Sequence, residues 1–378
     1  MSPTVGWRVG LTGLVLALAG LVVVPAEAAY SPQPRETWSA NSVVFAVATH
    51  GDRVYIGGRF TNVRNVATGQ TVKRSRVAAF DATTGQLITS FNPTVNSDVR
   101  AIAVSDDGSR IFLGGKFTDV DGFARSRLAA LDRSGNVVAT WTPSASGLVK
   151  DLLVDGTDVF VAGPFGKLDG KGRGGLAKVS ATTGSLSSWK VPTRGGRPWA
   201  IANSSDGSDL LIAGSFTSLE GQPRVFLGAA TKDSGDVTPW RPEAICDTCQ
   251  LYDVTADGDG VFGAVGGPGG RAARWSSATG ALQWAVRGDG NVQAVAVADG
   301  VLYAGGHFGP TFAGQTRHQL AALNPSSGRL LTWDPRLGGR DHPGVWALDP
   351  GQNFLRVGGG FRYVAGVPQS RFAEFPAA

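Results

Sequence analysis

Short apolar segments of about four to six residues run through the chain, each bounded by glycine, proline or aspartate. Ala101-Ile102-Ala103-Val104 is one example, and the turn-forming residues Ser105-Asp106-Asp107-Gly108 lead from it into the next apolar segment. Apolar runs of this length between turn formers are typical of β-strands. The pattern therefore predicts pairs of strands joined by tight hairpins.

The second strand of each pair has a recurring end. It finishes in two small residues, one variable residue and an aromatic. The copies are Gly57-Gly58-Arg59-Phe60, Gly114-Gly115-Lys116-Phe117, Ala162-Gly163-Pro164-Phe165, Ala213-Gly214-Ser215-Phe216, Gly305-Gly306-His307-Phe308 and Gly358-Gly359-Gly360-Phe361, with a degenerate copy at Val265-Gly266-Gly267. Repetition at intervals near 50 residues indicates a repeat architecture.

Two further strands complete each unit. A third strand such as Arg76-Val77-Ala78-Ala79-Phe80 leads into a turn such as Asp81-Ala82-Thr83-Thr84-Gly85. The fourth strand ends in an aromatic followed closely by proline: Phe91-Asn92-Pro93, Trp141-Thr142-Pro143, Trp240-Arg241-Pro242 and Trp333-Asp334-Pro335. Each unit is thus predicted to be a four-stranded antiparallel meander.

Seven such units predict an all-β fold, a seven-bladed β-propeller formed as a single domain by residues 29–378. A meander cannot bury both of its faces alone, so the units must stack. A solenoid is the competing arrangement, and the four-stranded unit of about 50 residues favours a ring.

The ends of the chain predict how the ring closes. The last unit stops at its third strand, Arg371-Phe372-Ala373-Glu374-Phe375, with three residues after it. Residues 35–38, which end in Trp38, match the ends of fourth strands elsewhere. We expect this segment to complete blade 7, with Trp38 packed between blades 7 and 1.

Two motifs carry a family resemblance. Ala79-Phe80-Asp81-Ala82-Thr83-Thr84-Gly85 and Ala322-Leu323-Asn324-Pro325-Ser326-Ser327-Gly328 resemble the tryptophan-docking repeat of quinoprotein-like (WD40-like) propellers. The stretch from Gly114 to Gly122 is similar to the repeat of secreted bacterial propellers of the delta-60 type. The resemblance implies the fold and transfers no catalytic residue. In the quinoprotein-like repeat the aromatic lies four residues beyond the turn glycine, whereas Phe91 and Trp141 lie six residues beyond it. Because of this departure from the pattern, no cofactor is expected.

The N-terminal residues predict export. Arg8 precedes an apolar run from Leu11 to Val24, which ends at Pro25 and the sequence Ala26-Glu27-Ala28. A basic start, a short apolar core and an A-x-A site form a signal peptide, here residues 1–28. A permanent membrane anchor is the alternative, but the run is short for a span. The mature chain is predicted to be secreted, extracellular or attached to the cell envelope, with no membrane span.

Composition narrows the choice of partner. The chain has 54 glycines, 20 prolines and 42% hydrophobic residues, which excludes wholesale disorder. Its net charge is +5 without any basic run, which argues against nucleic acid. No sequence feature indicates an oligomer, and a monomer is expected.

The charges should divide between the two faces of the propeller. Aspartates concentrate in the hairpin turns of one face. Arginines lie in the loops between second and third strands, on the opposite face: Arg76, Arg127, Arg271, Arg317 and Arg371. A basic loop face suits an anionic ligand, such as an acidic envelope polymer or an acidic protein surface. The alternative is that aspartate simply prefers turns and leaves the bases elsewhere.

Blade 5 is predicted to border the ligand site. Its second and third strands are joined only by residues 266–270, where other blades insert longer loops. A notch should result, bordered by the Cys246–Cys249 crossover and by the Arg317 loop, with Arg271 and Arg317 as the residues expected to contact a ligand.

Enzymatic candidates are weak. His50, His307, His318 and His342 lack metal-ligand spacing, and no G-x-S-x-G elbow is present. Asp-Gly pairs such as Asp121-Gly122 could suggest calcium, but they also favour hairpin turns. The sequence therefore favours a binding or interaction protein without metal or cofactor. A quinoprotein-like oxidoreductase, or a propeller hydrolase or lyase, is the alternative.

Cys246 and Cys249 are the two cysteines. In an exported chain such a close pair is expected to form a disulfide. A redox role and two free thiols remain the alternatives.

Overall fold

The computed structural model describes residues 29–339 and 344–378. The predicted signal peptide, residues 1–28, and His342 lie outside this part of the chain. Every regular element among the described residues is a β-strand. A search of the same residues finds no helix that could cross a membrane.

Seven antiparallel sheets follow one another along the chain, each built in the order first, second, third strand. The first strands of sheets 1 to 7 are Val44–His50, Val99–Val104, Asp151–Asp155, Pro198–Asn203, Gln250–Asp257, Val292–Ala298 and Val345–Pro350. The second strands are Arg53–Gly58, Arg110–Gly115, Asp158–Ala162, Asp209–Gly214, Gly260–Gly266, Val301–Gly306 and Phe354–Gly359. The third strands are Val77–Asp81, Leu128–Asp132, Leu176–Ser180, Leu227–Thr231, Arg271–Ser276, Leu320–Leu323 and Phe372–Pro376.

The fourth position is a regular strand only in sheet 5, at Leu282–Arg287. In five other sheets a single bridge marks it: Phe80–Leu87, Leu131–Val137, Val179–Leu186, Ala230–Val237 and Leu323–Leu330. In several of these segments the aromatic is followed by a proline, which has no N–H to continue a ladder. Among the described residues, the predicted four-stranded unit is therefore complete only in sheet 5, and the other sheets have three regular strands.

Small hairpins form the outer loops between second and third strands in all sheets except sheet 5. Three of them gain a third strand from the preceding crossover: Trp38–Ala40 with Asn62–Asn65 and Thr71–Lys73, Thr193–Arg194 with Ser218–Leu219 and Gln222–Pro223, and Leu337–Gly338 with Tyr363–Val364 and Val367–Pro368. The other three are Asp119–Val120 with Phe123–Ala124, Lys167–Leu168 with Lys171–Gly172, and Thr311–Phe312 with Gln315–Thr316. At Asp121-Gly122 both φ angles are positive, 48° and 79°, as a tight type I′ hairpin turn requires.

The paired small residues that end the second strands have a steric cause. A Cβ added to Gly57 would lie 2.7 Å from the side chain of Val99 in the next sheet. A Cβ on Gly58 would lie 2.2 Å from the carbonyl oxygen of Val43, in the crossover that enters the same sheet. The first glycine therefore allows close packing between sheets, and the second allows the crossover to approach.

Tryptophans of the fourth segments in sheets 2 to 5 each bond the next sheet. The indole Nε1 of Trp141 donates to the carbonyl of Ser180 at 2.9 Å, and Trp189 donates to Thr231 at 3.0 Å. Trp240 and Trp284 repeat this contact with Ser276 and Pro325.

The first strands of consecutive sheets lie side by side, and Val345–Pro350 of sheet 7 lies beside Val44–His50 of sheet 1. A Cβ on Gly358 would lie 2.8 Å from Val44, the same relation that Gly57 has to Val99.

The N-terminal segment lies along the last strand. Ser31 N donates to Pro376 O at 2.7 Å, and Arg35 N donates to Glu374 O at 2.9 Å. Trp38 is 4% exposed and packs in one core with Phe80 and Phe372. The hydrogen bonds to the last strand thus come from Ser31 and Arg35, so the contact starts before the predicted segment 35–38 and overlaps it at Arg35.

Candidate binding site

In most of the sheets, a β-bulge at the start of the first strand leaves one residue out of the pairing with the second strand. The register with the second strand shifts by one residue there in sheets 1, 2, 4, 5, 6 and 7. A bulge leaves one residue unpaired and redirects its side chain. Sheet 3 lacks the bulge, and Lys150, directly before its first strand, occupies the same position.

The seven residues at this position line one pocket of about 170 Å³. They are Phe45, Arg100, Lys150, Trp199, Tyr252, Gln293 and Trp346, one from each sheet. The next position along each first strand is alanine in five sheets and aspartate in two, Asp151 and Asp253. Because all seven sheets contribute, we call this the axial pocket.

The axial pocket opens on the face that carries the long loops. Its lining residues come directly after the crossovers, at the start of each first strand. The loops between second and third strands lie at the same end of the sheets, because second strands run antiparallel to first strands.

Two cations reach the pocket. Arg100 forms an ion pair with Asp98 at 2.9 Å, and its guanidinium lies 3.6 Å from the centre of the Phe45 ring. Lys150 has no ion pair among the described residues, and its Nζ lies 5.2 Å from the ring centre of Trp346. Burial is the main cause that lowers the pKa of Lys150 to about 8, and Arg100 lowers it further.

Two carboxyl groups lie one position deeper and bridge neighbouring sheets. Asp151 accepts hydrogen bonds from Leu152 N and, across the sheet boundary, from Ile201 N, both at 2.8 Å. Burial raises its pKa to about 6.

Asp253 repeats this arrangement between sheets 5 and 6, with Val254 N and Val295 N as donors at 2.9 Å. Burial is again the main cause that raises its pKa, to about 7, and the charge of Asp151 adds to it. Both carboxyl groups hold a proton far more readily than exposed aspartates.

Among the described side chains of the pocket, buried donors without a partner outnumber buried acceptors without one: Gln293 Oε1 is the unpaired acceptor, and Arg100 Nε is one of the unpaired donors. The buried indole Nε1 atoms of Trp199 and Trp346 have no hydrogen-bond partner in the described part of the chain. Together with Lys150 they give three donor groups that can serve a ligand, whereas both carboxyl groups already accept main-chain hydrogen bonds.

The five arginines predicted to form the ligand face are all bonded to main-chain carbonyls. Arg76 donates to Arg59 and Phe60, and Arg127 donates to Ala145 at 3.3 Å. The five arginines belong to sheets 1, 2, 5, 6 and 7.

Arg371 and Arg317 follow the same pattern. Arg371 donates to Ala40 at 3.5 Å and takes part in a further interaction. Arg317 is 8% exposed and donates to Thr316 and Leu331, each at 2.7 Å.

Arg317 belongs to a repeated structural series. A buried arginine at the same place in other units donates to its preceding carbonyl and to the fourth segment: Arg74, Arg125, Arg173 and Arg224. In sheet 7 Gln369 replaces it and donates to Trp38 O at 3.3 Å. Repetition indicates that this position holds loops together.

The short connection in sheet 5 is covered by the disulfide crossover. Cys246 and Cys249 are bonded, with Cα atoms 5.9 Å apart, which confirms the predicted disulfide. A Cβ on Gly267 would lie 3.1 Å from Cys249 Cα. Arg271, 9% exposed, donates to Ile245 O in this crossover at 3.3 Å.

The sequence prediction missed the axial pocket. Its signal was an apolar residue, then a variable one, then alanine, at the start of each first strand, as in Val44-Phe45-Ala46. The residues that could have located the pocket are the variable one in each sheet and the two aspartates that replace alanine.

Within residues 29–339 and 344–378, no group of three or more His, Cys, Asp or Glu is placed to hold a metal ion.

Comparison with known proteins gives the fold. No family model matches the chain, and no curated protein matches it in sequence. The WD40 β-propeller domain of Doa1 matches with a TM-score of 0.59 and 11% identity, over 91% of this chain and 96% of that one. The computationally designed Ika8 protein matches with a TM-score of 0.54 and 13% identity, over 92% and 99%. The predicted all-β class is confirmed, and the fold resembles a WD40 β-propeller.

Proposed function

We propose that the protein is a secreted binding propeller of seven blades, and that it holds an anionic ligand at the axial pocket on its loop face. The observation that carries the proposal is the axial ring, in which every sheet contributes one side chain to a single pocket. Four of the seven are aromatic and two are cationic, a composition suited to recognition by stacking and charge.

The seven-bladed, closed form of the propeller rests on the repetition of its contacts. The relation of Gly57 to Val99 recurs between Gly358 and Val44, from the last sheet to the first. The hydrogen bonds from the N-terminal segment to Glu374 and Pro376 support its place as the fourth strand of sheet 7. We therefore infer one domain over residues 29–378, closed by the N-terminal strand, with repeats of the delta-60 type.

Secretion rests on the leader of residues 1–28 and agrees with the disulfide, which persists in oxidising compartments. We infer cleavage after Ala28 and action at or outside the cell envelope, as a monomer. Sequencing the N-terminus of the protein recovered from the medium tests this. A protein that stays in the cytoplasm with residues 1–28 attached would contradict it.

Binding is tested by screening residues 29–378 against immobilised acidic glycans, polyphosphate, acidic peptides and neutral glycans of matched length. We expect retention by one or more acidic probes that weakens with added salt. Equal retention by neutral and acidic glycans, or none by any probe, would overturn the proposed function.

A further inference from the structure

We propose that the axial pocket is a carboxylate site that takes the acidic end of a uronic-acid saccharide, with Lys150 as its anchor. This rests on the proposed function and specifies its ligand. The carboxylate meets Lys150 Nζ and the indole N–H groups of Trp199 and Trp346, while the sugar ring packs on the aromatic rings.

The pocket's size limits what it can hold. Cavities of about 150 Å³ accommodate one benzene-sized ring, whereas whole drug-sized ligands need about 300–1,000 Å³. At about 170 Å³, the axial pocket fits one ring-sized end group of a longer molecule. The remainder of that molecule would lie on the loop face.

The donors indicate the chemistry of that end group. Lys150 has no ion pair in the described chain, and two buried indole N–H groups lack an acceptor. A buried donor without a partner carries an energetic cost that an accepting ligand removes. A carboxylate accepts several such bonds at once.

Arg100, the second cation of the pocket, is already paired with a carboxylate. Arg100 is fixed by Asp98, which is also paired with Arg59, so its charge acts at a distance. Lys150 has no ion pair in the described chain and can bond the ligand directly, and the unpaired Nε of Arg100 is a further donor.

The aromatic residues favour a saccharide over an inorganic anion. Phe45 and Trp346 form an edge-to-face pair with ring centres 6.0 Å apart, and Trp199 and Tyr252 also line the pocket. The C–H face of a pyranose ring packs on aromatic rings, whose faces carry negative potential. Phosphate has no such surface and would leave these rings in contact with water.

The test is titration calorimetry of residues 29–378 with trigalacturonate, using galactotriose as the neutral match. Lys150→Met keeps a similar side-chain volume and removes the charge. Lys116→Met is the control, because Lys116 is exposed on the loop face outside the pocket. We expect trigalacturonate to bind, galactotriose to bind much more weakly, and Lys150→Met to weaken binding about tenfold or more. Lys116→Met should change it less than twofold.

A second variant keeps the test decisive if Lys150→Met folds poorly. Trp346→Phe removes one indole N–H and retains a ring, and should weaken binding several-fold. Unchanged affinity in both variants would overturn the pocket assignment while the proposed function stands. If a triglutamate peptide binds in a Lys150-dependent way and trigalacturonate does not bind, the assignment of a saccharide as the ligand would be overturned. Failure of every acidic probe would overturn the proposed function itself.

Discussion

Arg35 and Glu374 form an ion pair at 2.8 Å although 339 residues separate them in the chain. Glu374 is 1% exposed, and its other carboxylate oxygen accepts a hydrogen bond from Arg356 Nε at 2.9 Å. Arg356 also donates to Ala82 O, in sheet 1. One buried carboxylate thus connects the N-terminal segment, the last sheet and the first.

Glu374→Gln should destabilise the protein by roughly 3–5 kcal/mol, because removing one partner of a buried pair leaves uncompensated charge. Chemical denaturation of residues 29–378 measures this. Asp52→Asn removes the exposed pair with Arg133 and should cost about 0–1 kcal/mol. Equal losses in the two variants would mean that the Arg35–Glu374 contact does not hold the ends together.

Trp38→Ala should cost roughly 3–5 kcal/mol, since the ring is buried in one core with Phe80 and Phe372. Deleting residues 29–40 should lower the melting temperature far more than deleting residues 376–378. A matching melting temperature for the two truncations would refute closure by the N-terminal segment.

Reduction of the Cys246–Cys249 disulfide should cost about 2 kcal/mol or less, because it closes a ring of only four residues. Intact mass before and after alkylation, with and without reductant, reports the bond. Alkylation of two thiols without reductant would show that the exported protein lacks it. Cys246→Ser with Cys249→Ser gives the stability change by denaturation.

Asp253 should make stability fall as pH rises. Its pKa is raised to about 7 in the fold, whereas an unfolded aspartate titrates near 4. Between these values the folded state holds a proton that the unfolded state has released, so stability decreases from about pH 4 to 7. The total is up to about 4 kcal/mol.

Asp253→Ala should flatten this slope, measured by denaturation at pH 5 and pH 8. Because Val295 N–H loses its acceptor, the variant should be less stable than wild type at pH 5, and the difference should shrink at pH 8. Asp206→Ala is the control: hydrogen bonds from Ser204 and Ser208 lower the pKa of Asp206 to about 2, so it is ionised throughout this range. A slope retained in Asp253→Ala would show that another group causes it.

Binding of trigalacturonate should weaken from pH 6 to pH 9. Lys150, with a pKa of about 8, loses its charge over the upper half of this range. Asp151 and Asp253, with pKa values of about 6 and 7, gain negative charge over the lower half. Arg100 stays cationic, burial keeps Tyr252 neutral, and the uronate is ionised throughout. In calorimetry across this range, Lys150→Met should keep the loss that the two carboxyl groups cause near pH 6–7 and should lack the further loss near pH 8.

The all-β class could be predicted from the sequence because the repetition of its residues has a steric cause. Glycine recurs at Gly57 and Gly58 because a Cβ would collide with Val99 and with a carbonyl, and similar collisions recur in other sheets. Tryptophan recurs at Trp141 and Trp189 because each bonds the next sheet.

The axial pocket could not be found in the same way. Its lining position carries six residue types in the seven sheets, with only tryptophan used twice, so no recurring residue marks it. Conversely, Arg317 looked like a free charge although it belongs to a repeated carbonyl-binding series, because sequence does not show what a guanidinium donates to.

The most direct test of the account is a crystal structure of residues 29–378 grown with trigalacturonate. It should show seven blades with the N-terminal segment on the seventh, and a uronate in the axial pocket with its carboxylate bonded to Lys150 Nζ. A uronate bound instead at Arg271 and Arg317 on the rim, with the axial pocket free of sugar, would contradict it.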